Sequence, residues 1–296
     1  MTKKLIGVLV VLSLPGLSAA RPPAKLAVYT VNYPLQYFAE RIAGDEAEVV
    51  FPAPRNLNPA FWRPQPAEIA KLQGADLILI NGASYAKWVT QASLPPSRVM
   101  DTSRKYKDRY IAVPGAMTHS HGAGGEHSHS GIAGTTWLDF SLAVQQSEAI
   151  LKALSRKRPD AAAKFEQNFA RLKADLLALD EEMKRVVPKK SNPPLIGSHP
   201  IYQYLKRAYG LNLESVTWDP QEVPSEKLWK ELELGLKSFP AKWMVWEGAP
   251  HKDSVARLQT LGMRSLVFDP CANVPEKGDF LSAMRQNIKN LDEALK

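Results

Sequence analysis

"RPDAAAKFEQNFARLKADLLALDEEMKRVVP" occupies residues 158–188. Its apolar residues Phe165, Phe169, Leu172, Leu176, Leu179, Met183 and Val186 follow one another in alternating steps of four and three. Those steps line them along one stripe of a helix. Pro159 suits a first helical turn, where no backbone N–H is needed, and Pro188 cannot continue a helix. The stretch therefore predicts a helix of roughly 28 residues, on the order of 40 Å long at ~1.5 Å per residue. A partner helix in a coiled coil would use the same stripe, but the flanking sequence argues for another role.

On the N-terminal side, "KLAVYTV" (25–31), "AEVVFPA" (47–53), "ADLILIN" (75–81) and "YIAVPG" (110–115) are short apolar runs of the kind found in buried parallel strands. On the C-terminal side "PPLIGS" (193–198), "LNLESVTW" (211–218), "KWMVWEG" (242–248) and "SLVFDP" (265–270) repeat the pattern. Helical segments alternate with both sets, as in "PLQYFAERIAG" (34–44) and "IYQYLKRAYG" (201–210). Alternation of this kind implies an α/β fold. We expect two lobes with parallel sheets flanked by helices, residues 21–157 and 189–296, bridged by one long rigid helix over 158–188.

Lys3 and Lys4, the apolar run "LIGVLVVLSLPGL" (5–17) and the small residues "SAA" (18–20) have the layout of a cleaved secretory signal over residues 1–20. The run is too short to span a bilayer. The mature chain is then expected to start near Arg21 in the periplasm, with no lipid anchor, because no cysteine follows the run. Cys271 is the only cysteine, which excludes an internal disulfide and suits a small buried side chain. The formal charge is +8, and Lys3 and Lys4 would leave with the signal. The other basic residues are dispersed along helices, so no nucleic-acid face is expected. A monomer is.

Ligands of open parallel sheets sit beyond the carboxyl ends of the strands. That rule selects His199 after "LIGS", Glu247 after "MVW" and Asp269 after "LVF". It also selects Asn58 to Arg63 after the second strand, and Asn32 and Tyr33 after the first. Imidazole and carboxylate are ordinary ligands for a divalent metal. Four of the six histidines, His119, His121, His127 and His129, lie in "HSHGAGGEHSHS" (119–130). Paired His-x-His units on a Gly/Ser background suit metal binding rather than packing. His251, just after Pro250, fits the start of a surface helix. There is no Gly-x-Ser-x-Gly, phosphate loop or His-Glu-x-x-His, so an enzyme is not expected.

The chain resembles the periplasmic solute-binding proteins of zinc and manganese ABC transporters. "NPAFWRPQPAEIAKLQGADLILING" (58–82) is similar to their Asp-Pro-His-x-Tyr-Glu-Pro-x-Pro segment and the strand after it, and "TTWLDF" (135–140) to their Pro-His-x-Trp-Leu-Asp-Pro motif. "SHPIYQYLKRAYGL" (198–211) resembles the third ligand segment. "LVFDP" (266–270) and "GDFLSAMRQNIKNLDEAL" (278–295) resemble the fourth and the closing helix. A His-rich loop before the second motif is typical of the zinc members, and here it is residues 118–130. The resemblance implies capture of zinc, with manganese or another divalent ion as the alternative, and delivery to an ABC permease in the inner membrane.

The family's ion is usually held by three histidines and one acidic residue. The resemblance places the third and fourth ligands at His199 and Asp269. The first and second fall on Ala60 and Thr135, although Asn58, Pro59, Trp62, Pro64 and Pro66 keep the first frame and Trp137, Leu138 and Asp139 the second. Zinc prefers a tetrahedron of donors. His119, His121, His127 or His129 could fold in to complete it, and Glu247 is a further candidate donor. A second reading keeps the fold and changes the cargo. Trp62, Trp137, Trp218, Trp246, Tyr33 and Phe61 could line an aromatic cleft for a metal chelate or an organic solute.

Overall fold

The computed structural model describes residues 24–55, 57–113, 118–120, 126–128, 131–187 and 192–296. The expected signal segment, His121 and His129 lie outside them.

The N-terminal lobe begins with β1 (Leu26–Thr30), α1 (Tyr33–Ala43) and β2 (Ala47–Val50), followed by α2 (Pro66–Gly74), β3 (Leu77–Ile80) and β4 (Val99–Asp101). These strands form one parallel sheet in the order β2-β1-β3-β4. The C-terminal lobe repeats the plan with β9 (Leu195–Gly197), α5 (Gln203–Tyr209), β10 (Leu213–Ser215), α6 (Glu226–Ser238), β11 (Trp243–Trp246), α7 (Lys252–Thr260), β12 (Arg264–Val267) and α8 (Phe280–Leu295). Its sheet is also parallel, in the order β10-β9-β11-β12. In both sheets the first strand of the lobe pairs with the second and third, so the chain reverses direction across the sheet beside that strand. In open parallel sheets ligands sit at such a switch point.

One strand assignment needs correcting. The fourth place in the N-terminal sheet belongs to Val99–Asp101, not to "YIAVPG" (110–115). The three residues of β4 are too few to show a periodicity against the turn-rich "SLPPSR" before them. Within 110–115, β5 (Ala112–Val113) pairs antiparallel with β8 (Gly131–Ile132). Between them β6 (Thr118–Ser120) pairs antiparallel with β7 (Glu126–Ser128), with His119 and His127 as direct backbone partners. The described parts of the histidine tract thus belong to a β-ribbon rather than an irregular loop.

Helix α3 (Phe140–Lys157) leads into a 3-10 turn (Pro159–Ala161) and then α4 (Ala162–Val186), the long helix read from the 158–188 stretch. Phe165, Leu172, Leu176, Leu179 and Met183 are fully buried along it, and Phe169 and Val186 partly so. At ~1.5–3 kcal/mol per fully buried apolar side chain, this face outweighs any helix propensity on the exposed side. Helix α4 packs on α1 and α3 of one lobe and on α8 of the other. The helix does more than link the lobes. Val28, Ile78 and Phe38 from the first lobe and Leu195, Val245 and Phe280 from the second belong to one continuous apolar cluster.

Polar contacts close the same seam. The Trp137 indole donates to the Pro270 carbonyl at 2.7 Å, Tyr33 N–H donates to the Ala272 carbonyl at 3.0 Å, and the Tyr37 hydroxyl donates to the Asp279 carboxylate at 3.0 Å. No helix among the described residues is long and apolar enough to cross a membrane.

Candidate metal centre

Between the carboxyl ends of the two sheets lies an open cleft of about 790 Å³. Its C-terminal wall carries His199, Pro200, Ile201, Gln203 and Glu247. His199 stands two residues beyond β9, and its backbone is fixed on both sides: Ser198 N–H donates to the Val245 carbonyl at 2.8 Å, and the His199 carbonyl accepts from Ile201 N–H at 2.9 Å. Gly197 is required at the bend, because a Cβ there would lie 2.9 Å from the Ser215 hydroxyl and 3.1 Å from the Tyr202 ring. The imidazole is 3% exposed.

Glu247 leaves the end of the adjacent strand, β11, and its Oε1 is 3.7 Å from His199 Nδ1. That separation is longer than a hydrogen bond. Two donors each ~2.1 Å from a tetrahedral zinc stand about 3.4 Å apart, against about 3.0 Å on an octahedral ion. The pair can therefore hold one edge of a tetrahedron with only a small closure.

Asp269 follows β12 but is not among the residues lining the cleft, although Pro270 and Ala272 beside it are. Its carboxylate accepts from Cys271 N–H at 2.7 Å, and burial holds its pKa above the usual carboxylate value. Its backbone is clamped by Asn287 of α8, which accepts from Asp269 N–H at 3.0 Å and donates to the Asp269 carbonyl at 2.6 Å. Cys271 is fully buried and free. Among the described residues no three His, Cys, Asp or Glu side chains converge as a metal-binding group.

The N-terminal wall is built from Asn58, Ala60 and Phe61 after β2, Ser84, Tyr85 and Lys87 after β3, and Gly134 and Thr135 before α3. Ala60 and Thr135, where the family pattern has histidine, both face the cleft. The Thr135 hydroxyl is committed across the seam, donating to the Ile201 carbonyl. Gly134 lets the Tyr85 ring approach, since a Cβ there would meet it at 3.0 Å, and Tyr85 packs edge-on to Trp137 with ring centres 5.4 Å apart. Ala83 and Ser84 have φ of +49° and +55°. A left-handed backbone on such residues is strained and must be held by its surroundings. Here Ala83 N–H donates to the Tyr110 hydroxyl at 3.1 Å.

The aromatic residues singled out in the sequence mostly went to the core. Trp137, Trp218 and Trp246 are fully buried, Trp62 packs edge-on to Trp88, and Phe61 lines the cleft. His251 caps α7, its Nδ1 accepting from Asp253 N–H at 3.2 Å. His119 and His127 are backbone partners on β6 and β7, while Val113 and Ile132, from the separate β5–β8 pair, line the cleft. The sequence reading missed Ser84, Tyr85, Lys87 and Gln203. The rule that found His199, Glu247 and Asp269, applied to the end of the third strand, would have found the first three.

Residues 28–294 match the family described as ZnuA, zinc-uptake complex component A, periplasmic. The chain is 26% identical over 290 residues to the zinc-binding lipoprotein AdcA of Streptococcus pneumoniae, covering 91% of this chain and 56% of the relative. It is also 26% identical over 288 residues to the high-affinity zinc uptake system protein ZnuA of Bacillus subtilis, covering 92% and 88%. The chain thus spans about half the length of the AdcA relatives it matches. Among solved structures, the Zn(II)-bound ZnuA-like domain of Streptococcus pneumoniae AdcA superposes with a TM-score of 0.78 at 22% identity, covering 92% of this chain and 99% of that one. At that identity the likeness is one of fold.

Proposed function

The chain belongs to the ZnuA family of periplasmic zinc-uptake components, and on that premise we propose that it captures zinc in the cleft and carries it to an ABC permease of the inner membrane. It acts outside the cytoplasm, as a carrier and not a catalyst, after residues 1–20 are removed. The observation that carries the reading is the His199–Glu247 pair: 3.7 Å apart, from the ends of adjacent strands, at the switch point of a parallel sheet. Neutral imidazole with carboxylate favours Zn²⁺ over the harder Mn²⁺, which prefers an all-oxygen octahedron.

His199 and Glu247 hold the ion from one wall. The Asp269 carboxylate lies behind this wall, held by Cys271 N–H, and would join the ion only by giving up that bond. The tract histidines His119, His121, His127 and His129 gather zinc and pass it inward. Val113 and Ile132, which flank the tract in sequence, border the cleft and favour that hand-over. The same position makes the tract a competing source of the donors that Ala60 and Thr135 lack.

The test is chelator competition on metal-stripped protein purified without a histidine tag. Wild type should hold one zinc tightly, and His199→Ala and His199→Asn should both lose that site while staying folded. Unchanged tight binding in both variants would remove the cleft from the function.

A further inference from the structure

We propose that the cleft takes its zinc as a complex with a small α-amino acid, whose amine and carboxylate fill the positions that His199 and Glu247 leave open. The inference rests on the reading of the cleft as the zinc site. It starts from a count of donors. The C-terminal wall offers the pair 3.7 Å apart, and zinc wants four ligands. On the opposite wall Ala60 has no donor, and the Thr135 hydroxyl already donates to the Ile201 carbonyl. Two waters would close the tetrahedron, but they need only about 30 Å³ each. The cleft, open to solvent on one side, spans about 790 Å³ including that open space, more room than two waters fill.

The groups around that space match an amino acid. The Tyr85 hydroxyl and the Gln203 Oε1 are buried and have no hydrogen-bond partner among the described residues. One is a donor suited to a carboxylate and the other an acceptor suited to an amine N–H. Burial, reinforced by the nearby Glu247 carboxylate, keeps the phenol protonated and so a donor. Lys87 lines the same wall and brings a positive charge for the carboxylate. Charge points the same way. Zn²⁺ with Glu247 and Lys87 leaves a net positive site, which an aminoacidate anion reduces by one. The ammonium of the free amino acid gives up its proton to bulk solvent as its nitrogen binds the ion. Imidazoles swung in from residues 119–129 would fill the coordination positions but bring no carboxylate for Tyr85 and Lys87. Two non-glycine residues with left-handed backbone, Ala83 and Ser84, hold the loop that presents Tyr85, as strained loops at binding sites often do.

The experiment uses metal-stripped, untagged full-length protein, zinc and isotopically labelled L-histidine. After gel filtration, wild type should retain zinc and histidine in equal amounts, with histidine retained only when zinc is present. Excess histidine should strengthen zinc retention about tenfold beyond its own competition for zinc in buffer, a difference of ~1.4 kcal/mol. Lys87→Glu, at an exposed position, and Tyr85→Phe, which removes only a hydroxyl, should each abolish most of that enhancement. Wild type that binds zinc through His199 but retains no histidine would overturn the co-ligand and leave the zinc site standing. Zinc binding indifferent to His199 would overturn the site itself. Loss of tight zinc on deleting 119–130, not restored by histidine, would assign the missing donors to the tract and also overturn the proposal.

Discussion

Putting histidine back at positions 60 and 135 should separate two roles that Thr135 combines. Its hydroxyl donates across the lobe seam to the Ile201 carbonyl, at a residue only 8% exposed. Thr135→His removes that donor and leaves the carbonyl of half-buried Ile201 without it, which costs ~1–3 kcal/mol. In a protein of this size each kcal/mol moves the melting point by about 2–4 °C, so the metal-free variant should melt about 2–12 °C lower. Ala60 is half-buried and its side chain makes no hydrogen bond, so Ala60→His should shift the metal-free protein little. Affinity should move the other way. Four-ligand zinc sites are worth ~10–16 kcal/mol, or ~2.5–4 per ligand if divided evenly. Even with most of that lost to imperfect geometry, the double variant should bind zinc at least about 100-fold more tightly, a gain of ~2.7 kcal/mol. Calorimetric melting of stripped protein reads the first effect, and graded chelator competition in a background lacking 119–130 reads the second. An unchanged melting point in Thr135→His would refute the cross-lobe bond. Zinc affinity within about threefold of wild type in the double variant, under ~0.7 kcal/mol, would refute the placement of the ion between His199 and this wall.

Other outcomes follow from the same geometry. Deleting residues 119–130 from the wild type should lower the stoichiometry of weak zinc binding by titration calorimetry and leave the tightest site in place. In the intact protein those weak sites should fade as pH falls through ~6.5, where imidazole protonates and stops binding metal. Trp137→Phe deletes the 2.7 Å bond to the Pro270 carbonyl from a fully buried position, and should cost ~2–4 kcal/mol in urea denaturation. Asn287→Leu leaves both the N–H and the carbonyl of Asp269 without their partner. It should destabilise by ~2–4 kcal/mol, with zinc affinity falling as well if Asp269 approaches the ion.

Architecture was legible in the sequence wherever the pattern was long. The stripe from Phe165 to Val186 spans enough turns to fix a helix against any alternative, and strands such as Leu77–Ile80 and Trp243–Trp246 are bounded runs that only a buried parallel strand explains. Val99–Asp101 failed because three residues carry no period, and pairing with β3, not its own composition, makes it a strand. The site was half legible. His199 and Glu247 follow from strand ends alone, because topology aims strand ends at the cleft. That Glu247 meets His199 while the Asp269 carboxylate turns toward Cys271 depends on loop hydrogen bonds with no periodic trace. The bond from Thr135 to Ile201 was equally hidden, since a missing ligand in sequence says nothing about what its replacement now holds. Tyr85 and Gln203 belong with it: an unsatisfied phenol or amide is a property of packing and not of spacing.

The apolar cluster that runs unbroken from one sheet through α4 to the other has a consequence for how the molecule comes apart. Chains built from two separate hydrophobic cores unfold in steps, one core at a time. Here α4 packs on α1 and α3 of one half and on α8 of the other, so melting either half exposes apolar surface on the helix they share. Heating should therefore give a single calorimetric transition with equal van't Hoff and calorimetric enthalpies. Slow amide exchange should extend through β1 and β11 to a common protection limit. Neither half, expressed alone, should fold.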